Sequence, residues 1–129
     1  MRNILFTLLA IAATFSVSQW VFNPLRLYYE IWWLDIPMHI LGGFLFSLLF
    51  LSFLEYFSSN GKVNSKIQKN KKVLLLFVFF IGLVWEIYEY SMYVYFNYDW
   101  GGIYDTIKDL CDDMLGALIG LYLYNKNKN

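Results

Sequence analysis

The run from Ile4 to Phe22 contains no charged residue, and as a helix it is long enough to cross a hydrocarbon core of about 30 Å. Three similar runs follow. The second begins at Pro37, whose fixed φ and missing N–H suit the first turn of a helix, and continues to about Leu54 with only His39 to interrupt it. The third, Val73 to about Phe96, is apolar until Glu86 and Glu89. The fourth, about Tyr104 to Tyr124, is acidic in its first half and apolar in its second, after a turn signal at Asp99-Trp100-Gly101-Gly102. A chain of 129 residues that is 59% hydrophobic has too little interior to hide this much apolar surface, so a bilayer must supply the missing burial. The expectation is an all-α fold: an integral membrane bundle of four transmembrane helices, about 4–22, 37–54, 73–96 and 104–124, in a single domain over 1–129.

The charges orient such a bundle. With four spans, Arg2, Lys62, Lys66, Lys69, Lys71, Lys72, Lys126 and Lys128 fall on one side, and only Arg26 and Lys108 lie towards the other. The positive-inside rule then places both termini in the cytoplasm, as in a multi-pass protein of the bacterial cytoplasmic (inner) membrane. The first run has a rival reading as a signal peptide cleaved after Ser16-Val17-Ser18. The apolar character continues through Trp20, Val21 and Phe22, which favours a retained helix. The connection from Asn23 to Ile36 is rich in Tyr and Trp, as interfacial segments are. The lysine-rich connection reads as a topology signal that also suits anionic lipid. The net charge of zero says nothing about partners, but the distribution points to the lipid bilayer, and neither the aromatic belt nor the lysine run implies nucleic acid. Cys111, the single cysteine, can form no internal disulfide and is expected to pack as a small apolar residue.

Of ten acidic residues, only Glu55 lies on the lysine-rich side. Glu86, Glu89, Asp109, Asp112 and Asp113 fall inside expected spans, where an ionised group facing lipid costs about 2.5–3.5 kcal/mol at the helix centre. They must face the bundle, water or one another. At about 100° per residue, Gly82, Glu86, Glu89 and Tyr93 share an arc of about 60° on the third helix. Asp105, Asp109, Asp112, Asp113, Gly116 and Gly120 share about 100° on the fourth, and Gly116 and Gly120 form a GxxxG pair suited to close helix contact. His39 lies near the face of Gly42 and Gly43. Glu86 and Glu89 sit roughly 20–24 Å along their helix, and Asp109 and Asp113 roughly 8–14 Å from the start of theirs. Antiparallel neighbours therefore bring these levels together in the outer third of the membrane.

So many carboxylates cannot all ionise unpaired. Bound protons, Lys108, protonated His39, a metal cation or a cationic substrate group would neutralise them. The expected site is His39, Glu86, Glu89, Asp109 and Asp113, with Asp35, Asp105 and Asp112 secondary. An oxygen-rich set with one imidazole suits Mg²⁺, Mn²⁺ or Ca²⁺, with Zn²⁺ also accommodated. Plainer roles compete: Asp35 at the start of the second helix, Asp105 and Thr106 as caps of the fourth, His39 as hydrogen-bonded packing, and the acids as a structural network. Three functions stay open. One is a cation- or headgroup-binding site with metal-assisted chemistry on a lipid or lipid-linked substrate, with His39 or a carboxylate as base. The second is proton- or cation-coupled transport, which with so few helices predicts a homo-oligomer. The third is a structural or partner-binding membrane protein.

Asp35-x-x-x-His39, Glu86-x-x-Glu89 and Asp109-x-x-x-Asp113-x-x-Gly116-Ala117 together resemble the VanZ-like superfamily of small bacterial membrane proteins, over about residues 35 to 124. Glu89 stands where that pattern commonly has glutamine and Asp113 where it has asparagine, and its Pro-x-Arg element has no counterpart. The resemblance implies an envelope protein with four membrane helices and an acidic intramembrane site.

Overall fold

The computed structural model describes residues 2–59, 70–98 and 100–126; Lys62, Lys66, Lys69, Asp99 and Lys128 lie outside the described residues. Among the described residues there is no strand. Helix α1 spans Arg2–Val17 and passes into a π-helical turn, Ser18–Phe22. Arg26, in the left-handed region at φ 53°, starts a single helical turn, α2, Leu27–Glu30. The long helices follow: α3 Asp35–Ser59, α4 Lys71–Phe96 and α5 Ile103–Lys126.

Local chemistry sets these ends. The Asn70 side chain accepts from Lys72 N at 3.0 Å, capping α4. Asn97, at φ 56°, closes it by donating to the Tyr93 carbonyl at 3.1 Å, a left-handed C-terminal cap. Gly102, at φ 84°, makes the reversal into α5 that a side chain would strain.

The most extensive interface joins α3 and α5, which run side by side in the same direction. Here glycine has a steric purpose. A Cβ on Gly116 would overlap the Ile40 carbonyl and the Phe44 amide nitrogen, and one on Gly43 would overlap the backbone of Asp113. One on Gly120 would strike the Ser47 hydroxyl. These helices touch backbone to backbone, the close approach that small residues permit. Ser47 is fully buried and donates to Phe44 O at 2.7 Å, so its hydroxyl is satisfied within its own helix. Against this pair, α4 contributes Leu74 and Val78 to a core cluster with Leu51 and Ala117. Helix α1 lies mainly on α3.

The outer surface is as apolar as the inside. Leu76, Phe80, Val84 and Ile87 form an exposed stripe on α4, and Leu115, Leu118, Ile119 and Tyr122 do the same on α5. Water would not tolerate contiguous patches of this size on a monomer. Three helices, Ile4–Phe22, Asp35–Ser58 and Lys71–Phe96, are long and apolar enough to cross a membrane. Helix α5 falls short of that standard because Asp105, Lys108, Asp109, Asp112 and Asp113 crowd its first half. Cys111 corrects an expectation: it is exposed on the outside of the bundle and does not pack between helices.

Candidate functional site

The start of α3, the end of α4 and the start of α5 come together at one end of the bundle. Two helix N-termini face the site there, and their dipoles favour negative charge. The five expected residues arrive from all three helices: His39 from α3, Glu86 and Glu89 from α4, Asp109 and Asp113 from α5. His39, Glu86, Asp109 and Asp113 are each no more than 7% exposed.

One ligand atom from each of His39, Glu86, Glu89 and Asp109 can be chosen so that all lie within 4.8 Å of one another. Asp113 stands on the other side of the imidazole. Its Oδ1 is 3.4 Å from His39 Nδ1, while Nε2 is 3.8 Å from Asp109 Oδ2 and 3.4 Å from Asp35 Oδ1. The two faces of His39 therefore meet different carboxylates. Asp35, Asp105 and Asp109 form an adjoining group around the Lys108 ammonium, which lies 3.2, 2.7 and 3.0 Å from one oxygen of each. Asp35 does begin α3, yet it is also an ion-pair partner. Thr106 lies inside the first turns of α5 and donates to Glu86 Oε2 at 2.6 Å.

Seven carboxyls thus share this region with one lysine and one histidine. The hydrogen-bond account does not close either. Glu86 Oε1, Asp109 Oδ1 and Asp112 Oδ2 are buried without a hydrogen-bond partner; the Lys108 ammonium is near Asp109 Oδ1 but not aligned to donate to it. A buried unpaired oxygen of this kind costs about 1–3 kcal/mol, more when charged. A cation placed among the four convergent residues would relieve the cost at Glu86, though not at Asp112, which stands outside that group, and the oxygen-rich, single-imidazole chemistry of the four fits a divalent ion.

Several partners escaped the sequence. Trp85 Nε1 donates to Glu89 Oε1 at 2.7 Å, a pair that the i,i+4 spacing within α4 could have signalled. The π-helical turn supplies the others: Ser18 Oγ and Tyr28 Oη are 2.8 Å apart, and Tyr88 Oη donates to Gln19 Oε1 at 2.7 Å. Nothing in the spacing links residues that far apart. Burial beside Asp35 pushes the Tyr28 hydroxyl up to about 12, so it remains a neutral hydrogen-bonding group.

Two cavities flank the cluster. One, about 390 Å³, lies between α1, α3 and α4 and is walled mainly by apolar side chains such as Ile11, Phe46, Val78 and Ile81. The other, about 720 Å³, is bounded by the α1–α3 connection and the α4–α5 turn and mixes polar groups, including Gln19, Asn23, Arg26, Asn97 and Asp105, with aromatic ones such as Trp32 and Trp100. Tyr28, Asp35, Tyr88 and Glu89 line both.

These features define an all-helical membrane protein with a buried acid–histidine cluster at one end of its bundle. Residues 1–128 match the family described as predicted membrane protein DUF2238, and the chain belongs to that family. No curated protein matches the chain, and no solved structure does.

Proposed function

We propose that this protein holds a divalent cation with His39, Glu86, Glu89 and Asp109, and presents it to the polar headgroup of a membrane lipid. The observation that carries the reading is the convergence of those four ligand atoms within 4.8 Å together with a buried Glu86 oxygen, Oε1, that has no hydrogen-bond partner; Asp109 Oδ1 likewise accepts no hydrogen bond, although the Lys108 ammonium lies 3.0 Å from it. In this arrangement Nε2 of His39 would face the cation and Nδ1 would turn to Asp113, whose Oδ1 is 3.4 Å away, the pattern by which a second carboxylate fixes a histidine ligand. Thr106 and Trp85 hold the two glutamates by their other oxygens. The ion would polarise a headgroup oxygen, and a carboxylate freed from it would serve as base.

The setting belongs to the proposal. Helix α5 would be a fourth span, its acids facing inward and its exposed Leu115, Leu118 and Ile119 facing lipid. Both termini would then be cytoplasmic and the site would open to the outside of the bacterial inner membrane. The likeness of its acidic motifs to the VanZ-like superfamily supports the same picture. A second reading has its own support. Lys108 bridges three aspartates, and if protonated His39 completes the balance the cluster is a structural network. Coupled transport has no specific observation in its favour.

Metal content and thermal stability decide between them, measured on detergent-purified protein with and without EDTA, beside the Glu86→Gln/Asp109→Asn double variant. A stoichiometric metal and an EDTA-sensitive rise in Tm, both lost in a folded double variant, are expected. Metal-free protein with unchanged Tm in Mn²⁺ or EDTA would leave the structural network as the account.

A further inference from the structure

We infer that the apolar cavity between α1, α3 and α4 is the binding chamber for one hydrocarbon chain of an amphiphilic lipid, whose oxygen-bearing head lies in the polar vestibule beside the acid–histidine cluster. This deepens the proposed function by naming the substrate class, and its headgroup half rests on the cation reading.

The two cavities differ in polarity and are joined where a lipid changes polarity. The chamber holds about 390 Å³, within the range of about 300–1,000 Å³ in which small-molecule sites fall. Its walls are Ile11, Phe15, Leu45, Phe46, Val78 and Ile81, with Asp35, His39 and Glu89 towards the site end and the Asp113 carboxylate part-way along, level with Gly42 and Gly82. The vestibule beyond that end carries Arg26, Asn23, Gln19 and Asn97. Tyr28, Asp35, Tyr88 and Glu89 form the collar common to both spaces. A wholly polar ligand would leave the chamber unfilled, and a wholly apolar one would leave the vestibule and the cluster without partners. An amphiphile satisfies both, and its ester or head oxygens arrive at the collar.

Access agrees with this occupant. The chamber wall includes Phe15 and Val84, 42% and 64% exposed, on the apolar outer surface where chains of the bilayer lie. Helix α1, which forms the outer wall, keeps most of its apolar side chains outside: Leu5, Phe6, Leu8 and Leu9 are all exposed. It is held at the site end by hydrogen bonds of Ser18 and Gln19 to Tyr28 and Tyr88, two members of the collar. Entry sideways between α1 and α4 would part the Phe15 ring from Trp85 and Tyr88, 5.9 and 6.1 Å away, and would leave the α3–α5 contact untouched.

The test uses palmitic acid carrying a terminal diazirine, photolysed with the full-length protein in phosphatidylcholine nanodiscs, with labelled positions mapped by mass spectrometry. Chamber residues such as Ile11, Thr14, Val78 and Ile81 should be labelled well above the lipid-exposed Phe80 and Ile87. Ile11→Phe and Thr14→Phe, which fill the chamber from α1 and leave the cluster intact, should each lower chamber labelling about tenfold. Withdrawing only about two methylenes from apolar surroundings has that effect. Each should still bind Mn²⁺. Labelling of the chamber no stronger than that of Phe80 and Ile87, or undiminished labelling in both filled variants, overturns the inference even if Mn²⁺ binds. Chamber labelling that the filled variants abolish, in a protein with no Mn²⁺ binding, upholds the chain site and removes the cation reading alone.

Discussion

Asp113→Asn tests whether His39 is a ligand set in place by its neighbour. The Asp113 side chain is buried, with Oδ1 3.4 Å from His39 Nδ1. Asparagine keeps the size and an acceptor oxygen but loses the charge, so the imidazole is held less firmly and no hole is opened. Loss of such an outer partner lowers metal affinity about 10–100-fold. The retained acceptor argues for the lower end, about tenfold or ~1.4 kcal/mol. Linkage turns this into a melting experiment. At Mn²⁺ about 100 times the wild-type Kd, binding stabilises the wild type by about 2.7 kcal/mol; a tenfold weaker site at the same concentration gives about 1.4 kcal/mol. The Mn²⁺-induced rise in Tm should therefore fall by about half in Asp113→Asn and vanish in Glu86→Gln/Asp109→Asn. An Asp113→Asn protein with the full wild-type rise would refute the orienting role. A double variant that kept the rise would place the metal elsewhere.

Two further outcomes follow from the packing and the charges. Gly116→Ala places a methyl against the Ile40 carbonyl and the Phe44 amide nitrogen, backbone atoms that yield only if α3 and α5 separate; a loss of about 1–3 kcal/mol is expected, read as a lower Tm in detergent, and a melting point equal to the wild type would mean that the helices are not in contact there. With four spans, green fluorescent protein fused after Asn129 should fluoresce in cells and alkaline phosphatase at the same point should be inactive; active phosphatase would put the C-terminus outside and reduce the spans to three.

Much of the architecture was legible because the bilayer imposes a simple rule on composition. Long uncharged runs must become helices with satisfied backbones, and the runs from Ile4, Pro37 and Val73 correspond to the three helices suited to crossing. Helical periodicity placed Glu86 and Glu89 on one face and Asp109 and Asp113 on another, and glycines on the same faces announced where helices could touch. Even the level of the acids followed from counting 1.5 Å rises.

What periodicity could not resolve was which atom meets which. The division of His39 between Asp109 and Asp113, the gathering of Asp35, Asp105 and Asp109 on Lys108, and the hydrogen bond from Thr106 to Glu86 depend on shifts smaller than one helical turn. Those shifts are set by the backbone contacts at Gly43 and Gly116, which lock the register of α3 against α5, and by the close approach of Asp113 and Leu110 to Gly82, which does the same for α4. The outward turn of Cys111, by contrast, was within reach of periodicity, because at about 100° per residue it lies nearly opposite the acidic face of α5. The chamber and its polar vestibule are more distant still from the one-dimensional pattern. They exist because α1 leans on α3 while its π-helical turn reaches Tyr28 and Tyr88, residues up to 69 positions away. Sequence alone determined which residues had to avoid lipid; the tertiary structure decided what they found instead, because helix register and side-chain partners are properties of packed surfaces and not of any single helix.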